Sequence, residues 1–290
     1  MVIYRKGEVK IMGTSVTGRI KEIKQPRGGY IKPSEFETIE LDDGITLSEE
    51  ENIHSSIIGM VVDYMTRFAM GTDKKEAFKI SLTGAALREQ LTKDKALDIA
   101  TKLLKGIKGL DDNSIVNACK LVTFDVWYRN TMGAMLAKGY EETNPDKDTV
   151  KNIQTLIQRS ITFFKTYGAI TKDGFTFEPV KPNEKAYEKM ITTGKGTYGG
   201  YTGTVCNGDG DFLTADTLWD FKVSKAKPTS KHTLQLLMYW IMGQHSGQEC
   251  YKSISRLGIF NPRLNVVYLL DMSKVSADTI KAVEDEVICY

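Results

Sequence analysis

The chain lacks the marks of several large protein classes. Its four cysteines, Cys119, Cys206, Cys250 and Cys289, are widely scattered and form neither a C-x-x-C pair nor an iron–sulfur spacing, so a reduced, cytoplasmic protein is expected. No signal peptide and no hydrophobic run of membrane length is present, which argues against secretion and membrane insertion. The net charge is only +2, which excludes a polycation that coats nucleic acid through overall charge. His54, His232 and His245 have no zinc spacing with the cysteines, and no Ser-His-Asp arrangement stands out. The glycine-rich stretch Gly194 to Gly200 lacks the G-x-x-x-x-G-K-[ST] spacing of a phosphate loop and reads as a connection into a strand over Tyr201 to Cys206. No internal repeat or low-complexity tract occurs. With 290 residues the chain is long enough for one large domain or two with a substantial core.

What is present centres on residues 208–222. Two apolar runs flank a short turn at Ala215-Asp216, the pattern of a β-hairpin. That register pairs Leu213 with Leu218 and sets Asp211 opposite Asp220. Strand alternation puts Asp220 and Lys222 on one face and Trp219, Phe221 and Val223 on the other. Like charges directly across a strand pair repel, and a shared divalent cation is the simplest relief. A loop with Lys225, Lys227 and Lys231 follows, then a helix over about His232 to Met242 whose start is signalled by Pro228, Thr229 and Ser230. Leu234, Leu237, Met238 and Ile241 form its packed stripe, and Gln235 and Tyr239 share another face.

An acid, a short hairpin, Asp-x-Lys and a helix bearing Q-x-x-x-Y resemble the PD-(D/E)XK nuclease superfamily, in its RecB-like and phage-exonuclease-like branch. The likeness covers about residues 200–243. It implies that Asp211 and Asp220 hold Mg²⁺ or Mn²⁺ with the backbone carbonyl of Phe221. It also implies that Lys222 assists the nucleophile, and that Gln235, with Tyr239 beside it, orients Lys222 or a water. A solvent-facing Gln235 is the alternative. Lys225, Lys227 and Lys231 would meet phosphates, unless they form an ordinary solvated loop.

Upstream, Leu47 to Met70 reads as a helix with Ser48 as N-cap and Glu51 completing a capping box. Gly59 and Asp63 lie four apart on it, and the branch resembled here carries Gly-x-x-x-His, so Asp63 stands where its metal-ligand histidine would be. Glu51 and His54 are rival first acids or ligands. From Asp73 to Tyr167 the chain reads as mainly helical, over Ala85 to Lys105, Ser114 to Lys138 and Asp148 to Tyr167. Strands are expected on both sides of a turn at Asn261-Pro262-Arg263, and a last helix over Ser276 to Ile288. Arg263 could touch a phosphate.

The expected fold is α/β: a mixed central sheet flanked by helices, a restriction-endonuclease-like core, with an inserted helical subdomain. The expected division is a basic β segment (1–45), a first core helix (46–72), a helical insertion (73–168) and the nuclease core (169–290). The basic segment, with Arg5, Lys6, Lys10, Arg19, Lys21, Lys24, Arg27 and Lys32, suits a phosphate-facing strand pair or a solvated hairpin. The expected activity is metal-dependent hydrolysis of DNA, exonuclease-like, in recombination, repair, phage or defence. A homo-oligomer is compatible with it. A non-catalytic nucleic-acid-binding or inhibitory protein on the same scaffold is the alternative.

Overall fold

The computed structural model describes residues 13–290 and, before them, the backbone of two short paired strands, Val2–Arg5 and Glu8–Ile11. Lys6 and the side chains of Arg5 and Lys10, part of the basic run, lie outside the described residues. The principal strands are β1 (Glu37–Glu40), β2 (Lys172–Thr176), β3 (Asp209–Leu213), β4 (Thr217–Phe221), β5 (Arg256–Asn261) and β6 (Val266–Asp271). The principal helices are α1 (Val16–Glu22), α2 (Ser55–Ala69), α3 (Lys79–Thr92), α4 (Ala96–Gly106), α5 (Asp112–Leu121), α6 (Lys147–Tyr167), α7 (Glu184–Thr193), α8 (Ser230–Ser246) and α9 (Ala277–Ala282).

The six strands form one mixed sheet in the order β1-β6-β5-β4-β3-β2. Only β4 and β5 run parallel, with α8 in the crossover between them. Alternation along the strands feeds two apolar layers. Leu213, Leu218, Leu257, Ile259 and Leu270 pack with Val16 and Ile20 of α1 and with Leu234, Leu237 and Met238 of α8. Phe212, Trp219, Phe260 and Val267 face the other way and meet Phe163 and Phe164 of α6. Phe163 stacks on Phe260 at a centroid separation of 4.1 Å and meets Trp219 edge-on at 4.9 Å. Each fully buried aromatic of this kind contributes about 2–3 kcal/mol through the area it removes from water. The sheet is thus held from both sides around β4.

Helices α2 to α5 and the first half of α6 enclose a separate core that includes Ile58, Val61, Met65, Phe78, Phe124, Ile153 and Leu156. Phe221 and Val223 also pack on this core, so the end of β4 is where sheet and helices meet. Among the described residues no helix is long and apolar enough to cross a membrane.

Several boundaries differ from the sequence expectation. Helix α2 begins at Ser55 and not near Leu47, and Ser48 and Glu51 form no capping box; His54 caps it through Nδ1. Long-range bonds hold residues 48–52 out of the helix. The Ser48 and Asn52 amides donate to Asn152 and Thr149, and Asn152 returns bonds to Ser48 and Glu51. The stretch 85–105 is interrupted at Lys93, whose left-handed backbone (φ 60°) ends α3. The expected helix over 114–138 ends its regular part at Leu121 and continues as short turns. Arg19 and Lys21 of the basic segment lie on a helix, and Arg19 donates to the carbonyls of Glu286 and Val287 near the C-terminus.

Candidate active site

The hairpin has the expected register. Leu213 pairs with Leu218 and Phe212 with Trp219, and the Thr214 amide closes the turn on the Thr217 carbonyl at 3.0 Å. The registered pairing stops at Trp219, one pair short of the two acids. There the Phe221 amide donates to Oδ2 of Asp211 at 2.6 Å. The Asp211 carboxylate therefore spends one oxygen on the backbone of β4. Gly210 makes the approach of β2 possible, because a Cβ on it would lie 1.9 Å from the ring of Phe175. Asp209 and Gly210 are accordingly part of β3 and not of a free turn.

Asp220 is 3% exposed. Its Oδ1 pairs with Nζ of Lys222 at 2.9 Å, and its Oδ2 is buried with no hydrogen-bond partner. A buried carboxylate oxygen without a partner is costly and calls for an occupant. Burial pushes the Asp211 carboxyl up to about 7, and the charges of Asp220 and then Asp63 add to it. Burial works to lower the Lys222 ammonium, but Asp220 and Asp211 outweigh it and hold it above its ordinary value. Two carboxylates and a retained cation share one small volume.

Helix α2 adds a third acid. A Cβ on Gly59 would only touch that of Val223, at 3.9 Å, so the helix lies close against the chain just past Lys222. One turn on, Asp63 is near enough for its charge to reach Asp211. Asp63 is held by Nε of Arg67 at 2.8 Å, and the same guanidinium pairs with Asp173 on β2. Neither Arg67 nor Asp173 figures in the sequence reading. The i,i+4 spacing of Asp63 and Arg67 was a visible signal for their pair. The meeting with Asp173, 106 positions away, depends on how α2 packs against β2.

The remaining expected residues divide into those at the site and those elsewhere. The Gln235 side-chain amide donates to the buried Tyr239 hydroxyl at 2.8 Å, and among the described residues no hydrogen bond joins Gln235 to Lys222. Burial comes first in holding the Tyr239 phenol above its ordinary value, and the charges of Asp220 and Asp211 add to it, so the pair borders the acids. Lys225 reaches the Glu49 carbonyl at 2.6 Å, and Lys225, Lys227 and Lys231 are exposed. Glu51 is not a ligand candidate here: it is buried in an ion pair with Arg263 at 2.7 Å. That pair also removes Arg263 from the surface. His54 is committed to the start of α2.

A wide cavity of about 1090 Å³ is lined by residues such as Thr14, Arg19, Tyr198 and Cys206 and by none of the hairpin acids. A small cleft lined by Asp63, Arg67, Asp173, Phe212 and Phe221 opens beside them and gathers the charged groups. Among the described residues no three His, Cys, Asp or Glu side chains converge as a metal-holding group. Asp211 and Asp220 alone could supply side-chain oxygens to a divalent cation, and the unpartnered Oδ2 of Asp220 fits such a donor. Comparison with protein-family models, curated proteins and solved structures returns no match.

Proposed function

We propose that this protein is a metal-dependent nuclease that hydrolyses DNA phosphodiester bonds, on a core of the PD-(D/E)XK kind. The observation that carries the reading is the buried, unpartnered Oδ2 of Asp220 beside Asp211 and Lys222. Asp211 and Asp220, with the Phe221 carbonyl, would hold Mg²⁺ or Mn²⁺, which supplies a nucleophilic water at neutral pH and charge for the phosphoryl oxygens. The chain's own groups do the rest. Lys222 is kept protonated by its two acids and can offset negative charge developing on the phosphate. Asp220 orients that ammonium through the 2.9 Å pair. Gln235 and Tyr239 wall the site from α8 and keep a side-chain amide next to it. The exposed Lys225, Lys227 and Lys231 would meet backbone phosphates.

The test is cleavage of end-labelled single- and double-stranded DNA, linear and circular, with Mg²⁺ or Mn²⁺ against EDTA, for wild type and Lys222→Ala. Metal-dependent cleavage that the variant loses supports the proposal, and resistance of the circle marks an exonuclease. No cleavage of any DNA removes it. The second reading, a nucleic-acid-binding or inhibitory scaffold without catalysis, is favoured by the engagement of Asp63 with Arg67, which leaves the site only Asp211 and Asp220 as acids. DNA binding without cleavage would select it.

A further inference from the structure

A line of charged side chains runs from the cleft inward. Asp173 pairs with Arg67 and Arg67 with Asp63; Asp63 lines one cleft with Phe212 and with Phe221, whose amide donates to Asp211, and Asp220 pairs with Lys222. With all four carboxylates ionised, as a bound divalent ion would favour, four against two cations leave a formal charge of −2, the complement of one such ion. The Arg67 guanidinium also lies close enough for Asp211 to act on it. Its side chain is 25% exposed, and those of Asp63 and Asp173 are 34% and 41% exposed, so either ion pair can open without unpacking the core.

On the proposed metal site, we infer that Arg67 is a built-in counter-cation that competes with the divalent ion for Asp63. While Arg67 holds Asp63, the metal centre consists of Asp211 and Asp220. When Arg67 swings wholly onto Asp173, Asp63 becomes free to complete the ligand set. Arg67 is a positioning residue: it touches no reacting atom and acts through Asp63. The two equilibria are linked, so whatever weakens the Arg67–Asp63 pair strengthens the metal, and the reverse.

The test is a Mn²⁺ titration of the purified full chain, read from the electron-spin-resonance signal of free Mn²⁺ and independent of cleavage. Arg67→Gln should bind Mn²⁺ about five-fold tighter than wild type, the size of effect expected for removing one partly exposed ion pair. Asp63→Asn combined with Arg67→Gln should return to the wild-type affinity. Asp173→Asn, a change at an exposed side chain that does not threaten the fold, should bind about three-fold more weakly, because Arg67 then has only Asp63. Unchanged or weaker binding by Arg67→Gln, or tighter binding by Asp173→Asn, overturns the inference. Asp211→Asn and Asp220→Asn separate the two levels. If both lose Mn²⁺ and Arg67→Gln gains nothing, only the role of Arg67 falls. If neither loses Mn²⁺, the metal site falls with it.

Discussion

Two aspartates among the described residues, Asp125 and Asp220, are buried almost completely, and they are not alike. Asp125, with no exposure, accepts the hydroxyls of Tyr64 at 2.6 Å and Ser81 at 2.5 Å and lies 3.7 Å from Nε of Arg129. Both of its oxygens are used. Asp220 has one oxygen on Lys222 and one on nothing. Asp125 ties α2 and α3 to the turn after α5, in the way a satisfied polar network specifies a core. Asp220 carries an unmet demand that the fold tolerates. Burial of a carboxylate therefore does not mark a site by itself; burial with a partner missing does.

The sharpest way to break this contrast is activity. Asp220→Ala and Lys222→Ala should each reduce metal-dependent cleavage by at least about 10³-fold, the scale of losing a group that acts on transition-state charge. Retained cleavage in either purified variant would remove Asp220 and Lys222 from the chemistry. Stability should respond in the opposite sense. Asp125→Ala leaves the Tyr64 and Ser81 hydroxyls without an acceptor and should cost about 3 kcal/mol, read by urea unfolding. Asp220→Asn should stay within about 1 kcal/mol of wild type, since it replaces a buried carboxylate that the fold satisfies at one oxygen only. Equal losses in both variants would erase the distinction.

A smaller effect separates the metal-free and metal-bound states. The native Asp211 carboxyl keeps its proton up to about 7, whereas the unfolded one releases it near 3.8. Between those values the native state binds more protons, so this group's contribution to stability falls as pH rises from about 4 to about 7 and levels off above. Thermal unfolding in EDTA should show that decline, and Asp211→Asn should flatten it. Saturating Mg²⁺ should shrink it by favouring the ionised carboxylate; an unchanged slope would count against metal at Asp211. The smallest effect is expected at the rim. Lys225→Ala loses one bond to the Glu49 carbonyl and one candidate phosphate contact, and should weaken DNA binding about two- to three-fold and lower its salt dependence. An unaltered salt slope would place Lys225 off the DNA path.

Local patterning carried much of the fold. The alternation through residues 209–221 implies the pairing of Leu213 with Leu218, and the structure has it. Thr229 takes the N-cap position of α8 within the hydroxyl-rich entry, where its amide donates to Nδ1 of His232 at 3.0 Å, and strands β5 and β6 flank the turn at 261–263 as expected. These features depend on side chains within a few residues of one another, and short-range sterics and capping decide them. The loss of the Ser48 cap came from elsewhere: Asn152 and Thr149, about a hundred positions downstream, take the backbone bonds that a longer α2 would have used.

The acids of the candidate site divide along the same line. Asp211, Asp220 and Lys222 could be grouped from the chain alone because a two-strand register brings them together. That the pairing stops before the two acids, that Asp211 turns onto the Phe221 amide, and that Oδ2 of Asp220 is left alone are outcomes of packing. So is the capture of Asp63 by an arginine that also answers to Asp173 on another element. Periodicity states which face a residue takes. Which of its bonds are already spent depends on every element that arrives on that face, and only the assembled fold determines that.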